Sequence, residues 1–300
     1  MIKYSIKGAD KMKVIHILNP VAGQGGAVKY KDLEGVYITR GKNDATEFVK
    51  KTVAKGEPVH FNVYGGDGTV NEVVNGLIGA PEDTSFSIVP VGTGNDLLRT
   101  FELSDKENVR ADVLTVSGRY AVNAVNTGFD LDVVLKAAEF KKKPFISGTL
   151  AYALGVVAVL CKKFGKDMRI EYTDENGKSE VYEGSCLLTV CANGQYYGGG
   201  FHCSPAADIS DGLIDLMIIK KVTRLKFITL IGKFMKGRHI NLETLKPIKS
   251  FEKYMIFKKC KSVTIKNIDR ICADGEIWDT NEVKVDILPS AVTLKRRKSE

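Results

Sequence analysis

Short apolar runs alternate with helical stripes along the first 120 residues of this 300-residue chain. Lys13–Leu18, Val36–Thr39, Val59–Tyr64 and Ser85–Val89 read as strands. Ala45–Lys55 has the spacing of an amphipathic helix, and Val70–Ile78 has helical spacing as well. Asn19-Pro20 breaks the first run and leads into a loop with Gly23, Gly25 and Gly26. Gly65-Gly66-Asp67-Gly68-Thr69 follows the third run, and Gly92-Thr93-Gly94-Asn95-Asp96 follows the fourth. Strand, glycine loop and helix recur, which predicts a parallel α/β sheet with its loops at the carboxyl ends of the strands. Residues 1–12 read as an extension.

After about residue 120 the rhythm changes. Tyr120–Val125, Arg169–Tyr172, Ser179–Glu183, Cys186–Ala192, Leu213–Ile219, Ser262–Lys266 and Val283–Leu288 read as strands, joined by turns such as Glu175-Asn176-Gly177 and by few helices. The expected fold class is therefore α/β plus β. An N-terminal α/β domain spans 1–120 and a C-terminal antiparallel β-sandwich domain spans 121–286. Residues after about 287 are a candidate to pack back on the first domain. Pro144–Cys161 carries no charge and is flanked by lysines on both sides. It is at the lower length limit for a membrane span and contains Gly148 and Gly155, so it reads as a buried or interfacial helix.

A composition of 44% hydrophobic and 27% charged residues supports a packed core and excludes disorder as the main state. Charge reinforces the two-part division. Residues 1–120 hold 15 Lys/Arg against 15 Asp/Glu, so the net charge of +8 comes from the 29 against 21 in residues 121–300. Basic clusters at Lys141–Lys143, Lys162-Lys163, Lys220-Lys221, Lys258-Lys259 and Lys295–Lys298 suit an anionic membrane surface. No nucleic-acid motif and no aromatic-interleaved basic stripe accompanies them, so a nucleic-acid partner is not expected. The six cysteines form no Cys-x-x-Cys pair and fit no zinc spacing. With no secretory signal in residues 1–13, they read as reduced core thiols of a cytoplasmic, peripherally membrane-associated protein. The four histidines show no catalytic spacing.

A loop that wraps phosphate needs inward backbone N–H groups, no Cβ in the way and, ideally, a helix N-terminus behind it. Three such loops on one edge of a sheet are stronger evidence than one. The P-loop pattern is absent, because Gly177-Lys178-Ser179 has Tyr172 where its first glycine belongs. The dinucleotide fingerprint fails too, with Val28 at its third glycine, so a dinucleotide oxidoreductase is disfavoured.

Asn19-Pro20-Val21-Ala22-Gly23, Gly65-Gly66-Asp67-Gly68-Thr69 and Pro90-Val91-Gly92-Thr93-Gly94-Asn95-Asp96 resemble the three nucleotide-binding motifs of the diacylglycerol kinase catalytic domain family. Further on, Tyr197–Gly200, Pro205-Ala206-Ala207, Asp211–Asp215 and Asp274-Gly275-Glu276 resemble its second-domain and C-terminal motifs. The likeness runs from about Lys13 to the C-terminus and is to the soluble bacterial lipid kinases of that family. It implies a nucleotide-binding α/β domain of NAD kinase/diacylglycerol kinase type, a β-rich acceptor domain, and an active site in the cleft between them. It implies ATP and Mg2+ as cofactors, a diacylglycerol-like membrane lipid as acceptor, and a homodimer.

Phosphoryl transfer asks for positioning, charge neutralisation and an oriented hydroxyl. On the resemblance, Asn19, Pro20, Gly23, Thr39, Gly65, Gly66, Gly68, Thr69, Glu72, Gly92, Thr93, Gly94 and Asn95 would line the nucleotide. Asp67 would be a carboxylate near the phosphates and Mg2+, although aspartate is also an ordinary turn residue. Asp96 is either a second metal-side carboxylate or the N-cap of the helix starting at Leu97. Asp274 and Glu276 are the candidates for general base, with Glu276 favoured. Asp211 through its carboxylate, with Asp208 and Leu213 through carbonyls, would hold a structural Mg2+; an Asp-Gly hairpin turn accounts for the same residues. A kinase of a soluble acceptor such as NAD shares only the Gly65–Thr69 element. A non-catalytic nucleotide- or lipid-binding regulator does not require the acids that are present here.

Overall fold

The computed structural model describes residues 12–92, 94–141, 148–161 and 165–297. Of the features singled out in the sequence, residues 1–11 of the extension, Thr93, Pro144–Ser147, Lys142, Lys143, Lys162, Lys163 and Lys298 lie outside the described residues.

The first half opens with strand β1 (Lys13–Leu18), a 3-10 segment over Ala22–Tyr30, β2 (Val36–Ile38) and helix α1 (Asp44–Val53). β3 (Val59–Gly65), α2 (Asp67–Leu77), β4 (Ser85–Pro90) and α3 (Asp96–Glu102) follow. The strands lie in the order β2-β1-β3-β4, all parallel, with Ile17 level with Val63 and Val63 level with Ile88. Phe61, Val63, Phe86 and Ile88 are buried because the central strands of a parallel sheet are covered on both faces. Each such side chain contributes roughly 1.5–3 kcal/mol by leaving water. α1 and α2 cross closely at Gly76, where a Cβ would sit 2.6 Å from the Cβ of Val49.

The chain continues through β5 (Asn108–Val116), β6 (Arg119–Ala121) and β7 (Ala124–Gly128), then a helical pair, α4 (Phe129–Lys141) and α5 (Gly148–Leu160). β8 (Lys166–Asp174), β9 (Ser179–Ala192), a small hairpin of β10 (Tyr196–Tyr197) and β11 (Phe201–His202), and β12 (Ile214–Lys220) come next. α6 (Arg224–Met235) precedes a second small hairpin of β13 (Ile240–Asn241) and β14 (Lys246–Pro247). β15 (Met255–Lys266), β16 (Arg270–Ala273), β17 (Glu276–Asp279) and β18 (Glu282–Lys295) complete the described chain.

Long bent strands make the second half a sandwich. β9 pairs with β8 through Ser179–Cys186 and with β12 through Cys186–Ala192. β15 pairs with β12 up to Cys260 and with β8 and β18 beyond it. Met168, Ile170, Cys191, Leu216, Ile218, Val263 and Ile265 fill the space enclosed. All six cysteines are free, and four are buried as small core residues. Burial pushes the Cys186 thiol up to about 11 and that of Cys260 to about 12, so both stay protonated.

β18 joins the halves. Val283–Asp286 pair antiparallel with β15, while Thr293 and Leu294 pair parallel with Ser85 and Phe86 of β4. The strand shifts register between Leu288 and Val292, where Ser290 takes a left-handed φ of 51° and donates its N–H to Asp112 Oδ1 at 2.7 Å.

Three expectations need correcting. Tyr120–Val125 is two strands broken at Val122-Asn123, because the backbone N–H groups there turn to a side chain described below. Ser179–Glu183 and Cys186–Ala192 are a single strand. The second half also carries more helix than expected: α4 and α6 join α5, which falls within the helix read over Pro144–Cys161. Phe227, Leu230 and Phe234 of α6 cover Val190, Met217 and Ile219 of the sheet. The pattern hid α6 because that helix is apolar on its outer side too. α4 and α5 approach closely at Gly155, where a Cβ would lie 2.8 Å from the Val133 carbonyl oxygen. Among the described residues no helix is long and apolar enough to cross a membrane.

Candidate active site

Three loops converge at the carboxyl edge of the parallel strands. Asn19, just past β1, donates from Nδ2 to Thr69 Oγ1 at 2.9 Å, and its Oδ1 accepts the Val21 N–H at 3.2 Å. Pro20 begins the turn between them. Gly23 lies against the Val91 carbonyl oxygen of the third loop. Gly65 and Gly66 close β3, and Gly68 is exposed in the first turn of α2. The second and third loops touch closely: a Cβ at Gly92 would sit 2.6 Å from the Gly66 Cα, and one at Gly94 would sit 2.2 Å from Asp67 Oδ2. Only glycine permits this approach.

Asp67 opens α2 and caps α3. Its Oδ2 accepts the Asn95 N–H at 2.9 Å and its Oδ1 the Asp96 N–H at 2.6 Å. Asn95 itself is left-handed at φ 55°; its Nδ2 donates to the Gly92 carbonyl at 3.0 Å, and its buried Oδ1 has no hydrogen-bond partner. Thr39 is buried beside the first loop, with its N–H donated to the Leu18 carbonyl at 2.9 Å.

Glu72 departs from its expected place on the nucleotide. Its carboxylate accepts the Asn43 and Ala45 N–H groups at 2.9 and 3.2 Å, so it caps α1. Asp96 follows neither alternative read from the sequence. It is buried, and its two oxygens accept the N–H groups of Gly199 at 2.9 Å and Gly200 at 2.6 Å. It therefore fastens the Tyr197–Gly200 loop to the nucleotide-side loops. Burial raises its pKa, against the opposing effect of those donors.

The Asp274-Gly275-Glu276 turn joins β16 to β17 next to α2. Asp274 has a left-handed φ of 44°. Its carboxylate accepts N–H groups from Val122, Asn123 and Ala124, and Nδ2 of Asn71 at 2.8 Å. These are the N–H groups that interrupt the expected strand. Asn71 lies four residues after Asp67, one helical turn along the same face of α2, which brings Asp274 near the loop cluster. Enclosure by protein raises the Asp274 pKa, and the backbone donors and Asn71 oppose that rise. Glu276 is different. It pairs with Lys42 at 2.6 Å and with Arg119 at 3.3 Å, while the Arg119 guanidinium lies 4.5 Å over the Trp278 ring.

Asp208, Asp211 and Leu213 do not form an ion-binding set. Asp208 Oδ1 accepts from the Ser210 N–H and hydroxyl, and Asp211 Oδ1 accepts the Leu213 N–H at 3.0 Å. Asp211 Oδ2 is ion-paired with Lys259 at 2.7 Å. The same ammonium reaches Asp215 Oδ1 at 2.6 Å and the Ala206 carbonyl at 3.0 Å. A side-chain cation thus neutralises the one carboxylate expected to ligate a structural Mg2+, and the set as it stands does not fit that ion. Asp112, unremarked in the sequence, pins the same loop by accepting the Gly212 N–H at 2.7 Å. Among the described residues no group of three or more His, Cys, Asp or Glu is arranged to hold a metal.

A cavity of about 440 Å³ adjoins these loops. Asp67, Asp96 and Asp274 line it together with apolar side chains of α4, α6 and β9. Among the described residues its lining contains four aspartates and no Lys, Arg or His. The fourth is Asp130, which sequence reading missed. Asp130 accepts from Tyr197 Oη at 2.6 Å, Asn126 Nδ2 at 2.7 Å and the Leu131 N–H at 2.8 Å. Its accessible surface faces the cavity rather than open solvent, and burial pushes its carboxyl up to about 6, against those three donors. An acid directly after Gly128-Phe129 was the available signal, but nothing in the chain pointed it at an apolar cavity.

Comparison with known proteins bears on this arrangement. Residues 13–126 match the family model of the diacylglycerol kinase catalytic domain. Residues 123–296 match that of the YegS C-terminal NAD kinase beta sandwich-like domain. A diacylglycerol kinase of Mycobacterium tuberculosis is 27% identical over 95% of either chain. One from Bacillus subtilis is 28% identical over 80% of this chain and 78% of that one. A solved structure of a diacylglycerol kinase from Bacillus anthracis superposes with a TM-score of 0.67 at 22% identity, covering 97% of this chain and 98% of that chain. That structure has the same fold.

Proposed function

The chain belongs to the kinase family that joins a diacylglycerol kinase catalytic domain to a YegS-type C-terminal β-sandwich domain, and from that premise we propose that it transfers the γ-phosphate of ATP to the hydroxyl of a diacylglycerol-like membrane lipid. The observation that carries the reading is the cavity. It is apolar over most of its lining, large enough for part of an acyl chain, and continuous with the acids beside the glycine loops. Among the described residues the lining holds no Lys, Arg or His, which favours a neutral acceptor over a phosphorylated or nucleotide one.

The glycine loops fit a nucleotide. Gly66 and Gly92 form a cradle that a Cβ would fill, and the buried, unpartnered Oδ1 of Asn95 faces the same loops. Asn19, Thr69 and the backbone around Gly66, Gly68 and Gly94 would hold the phosphates, and Asp67 the Mg2+ that accompanies them. That ion neutralises charge on the transferring phosphoryl group. Glu276 is the better general base. The Asp274 oxygens already hold three backbone N–H groups and Asn71, so they are not free to take a proton from an acceptor hydroxyl. Glu276, by contrast, is held only by the exposed side chains of Lys42 and Arg119, which are free to turn towards an incoming phosphate. The protein works at the cytoplasmic face of the membrane.

The test is transfer of labelled γ-phosphate from MgATP into diacylglycerol in mixed micelles. The wild type yields a chloroform-soluble product. Asp67→Ala lowers the rate by about 1000-fold or more, and Glu276→Gln by about 100-fold without change in Tm. Label found only in water-soluble product would replace the lipid by a soluble acceptor. No transfer with ATP still bound would make the protein a binding module.

A further inference from the structure

Helix α6 is apolar on two sides. Phe227, Leu230 and Phe234 face the sheet, while Leu225, Ile228, Gly232 and Met235 form a second stripe, all exposed, with Leu225 at 79% and Ile228 at 60%. Single exposed apolar residues mean little, but a stripe at helical spacing marks a contact surface. Two further observations say what it contacts. Residues 216–242 contain seven Lys/Arg and no Asp or Glu: Lys220, Lys221, Arg224, Lys226, Lys233, Lys236 and Arg238. The stripe also runs into the acceptor cavity. Met235 and, on α4, Val134 are each 48% exposed and also line that cavity, so they stand at its mouth.

We propose that the outer face of α6 is the membrane-docking surface, laying Leu225 and Ile228 into the boundary of an anionic bilayer and setting the cavity mouth on the lipid. The proposal rests on the lipid-kinase reading. A helix with an exposed apolar stripe and a basic flank lies in the plane of the interface, and anionic lipid attracts the flank. Docking here places the acceptor lipid next to its cavity without its having to cross water. A second copy of the chain would match the apolar stripe but not seven like charges, since a symmetric contact would set them against each other.

Co-sedimentation of the full chain with phosphatidylcholine vesicles, with and without 30% phosphatidylglycerol, tests this. The wild type binds the anionic vesicles and binds neutral ones weakly. Leu225→Ser/Ile228→Ser lowers binding at least tenfold. Lys233→Gln and Lys236→Gln each lower it by about fivefold. None of these variants changes Tm, and all keep wild-type rates on a short-chain diacylglycerol dissolved as monomers. Their rates on vesicle-embedded diacylglycerol fall with binding. Wild-type binding by the stripe variants, or equal wild-type binding to both vesicle types, overturns the docking surface while leaving the kinase reading intact. A wild-type dimer that the stripe variants convert to monomer overturns it in favour of a homodimer interface. Vesicle binding lost in these variants, with no phosphorylation of any lipid, sinks the kinase reading and leaves the docking surface standing.

Discussion

The loop cluster and the acceptor cavity are neighbours built on different plans. In the cluster the groups proposed to face a ligand are backbone amides, and each loop sits directly after its own strand. Gly66 and Gly92 meet because β3 and β4 are adjacent and in register. In the cavity the groups are side chains from α4, β9, α6, β16 and the loop after β14, gathered across much of the chain. The first plan leaves a trace in local sequence and the second leaves almost none. A further difference concerns acids. Asp67, Asp96, Asp112 and Asp274 each hold two or more backbone N–H groups, so an aspartate in a motif is first a fastener and only then a candidate for chemistry. Asp130 stands apart, because two of its three donors are side chains and it faces an apolar space.

The largest effect expected on the acceptor side alone comes from Lys259→Met. It strands the Asp215 carboxylate, 1% exposed, beside Asp211 and costs about 3–5 kcal/mol, read as a lower denaturant midpoint. The wild-type midpoint is the same in EDTA and in millimolar Mg2+, because the ammonium already neutralises Asp211. A drop in EDTA would mean that a divalent ion does hold this loop.

Asp130→Asn comes next. Burial holds the folded carboxyl at about 6, against 3.8 for an ordinary aspartate, so the native state keeps a proton that the unfolded chain loses between those values. Wild-type stability therefore falls as pH rises from 4 to 6. The variant escapes that loss. It is more stable than wild type at pH 7 by on the order of 3 kcal/mol, with the gain vanishing near pH 4. Urea titrations at the two pH values check this, and a pH-independent difference would put Asp130 in a polar setting like that of the loop acids.

Gly155→Ala is the smallest. Its Cβ meets the Val133 carbonyl and the Ala137 nitrogen of α4, while α5 gains roughly 1 kcal/mol of helix propensity. The net cost is about 1 kcal/mol, accompanied by a raised KM for lipid and an unchanged KM for ATP. A matching change in both constants would show that the two regions are not separable.

The parallel half was legible because strand, loop and helix follow one another and packing there obeys short-range rules. Asn19, Gly66, Asp67, Thr69, Gly92, Gly94 and Asn95 come together as their loops suggested. Glu72 did not, because its oxygens go to the start of α1, and only the crossing of α1 over α2 decides that. Lys259 lies in a basic run that reads as solvated surface, yet pairing of β12 with β15 buries it against Asp215. α6 escaped detection because its two apolar stripes leave only a narrow polar face, Lys226, Thr229 and Lys233, to mark its period.

By itself the sequence determined the α/β-plus-β division, the three phosphate-type loops and the uneven charge, since each depends on neighbours in the chain. Tertiary structure alone decided which carboxylates are consumed by backbone amides, that the Lys259 ammonium neutralises Asp211 and Asp215, and that α4, α6 and β9 enclose an apolar cavity beside the loops. Those outcomes depend on pairs such as Asn71 and Asp274, 203 residues apart. Local propensity is blind to such pairs, and they form only when burial sets both groups in one low-dielectric space.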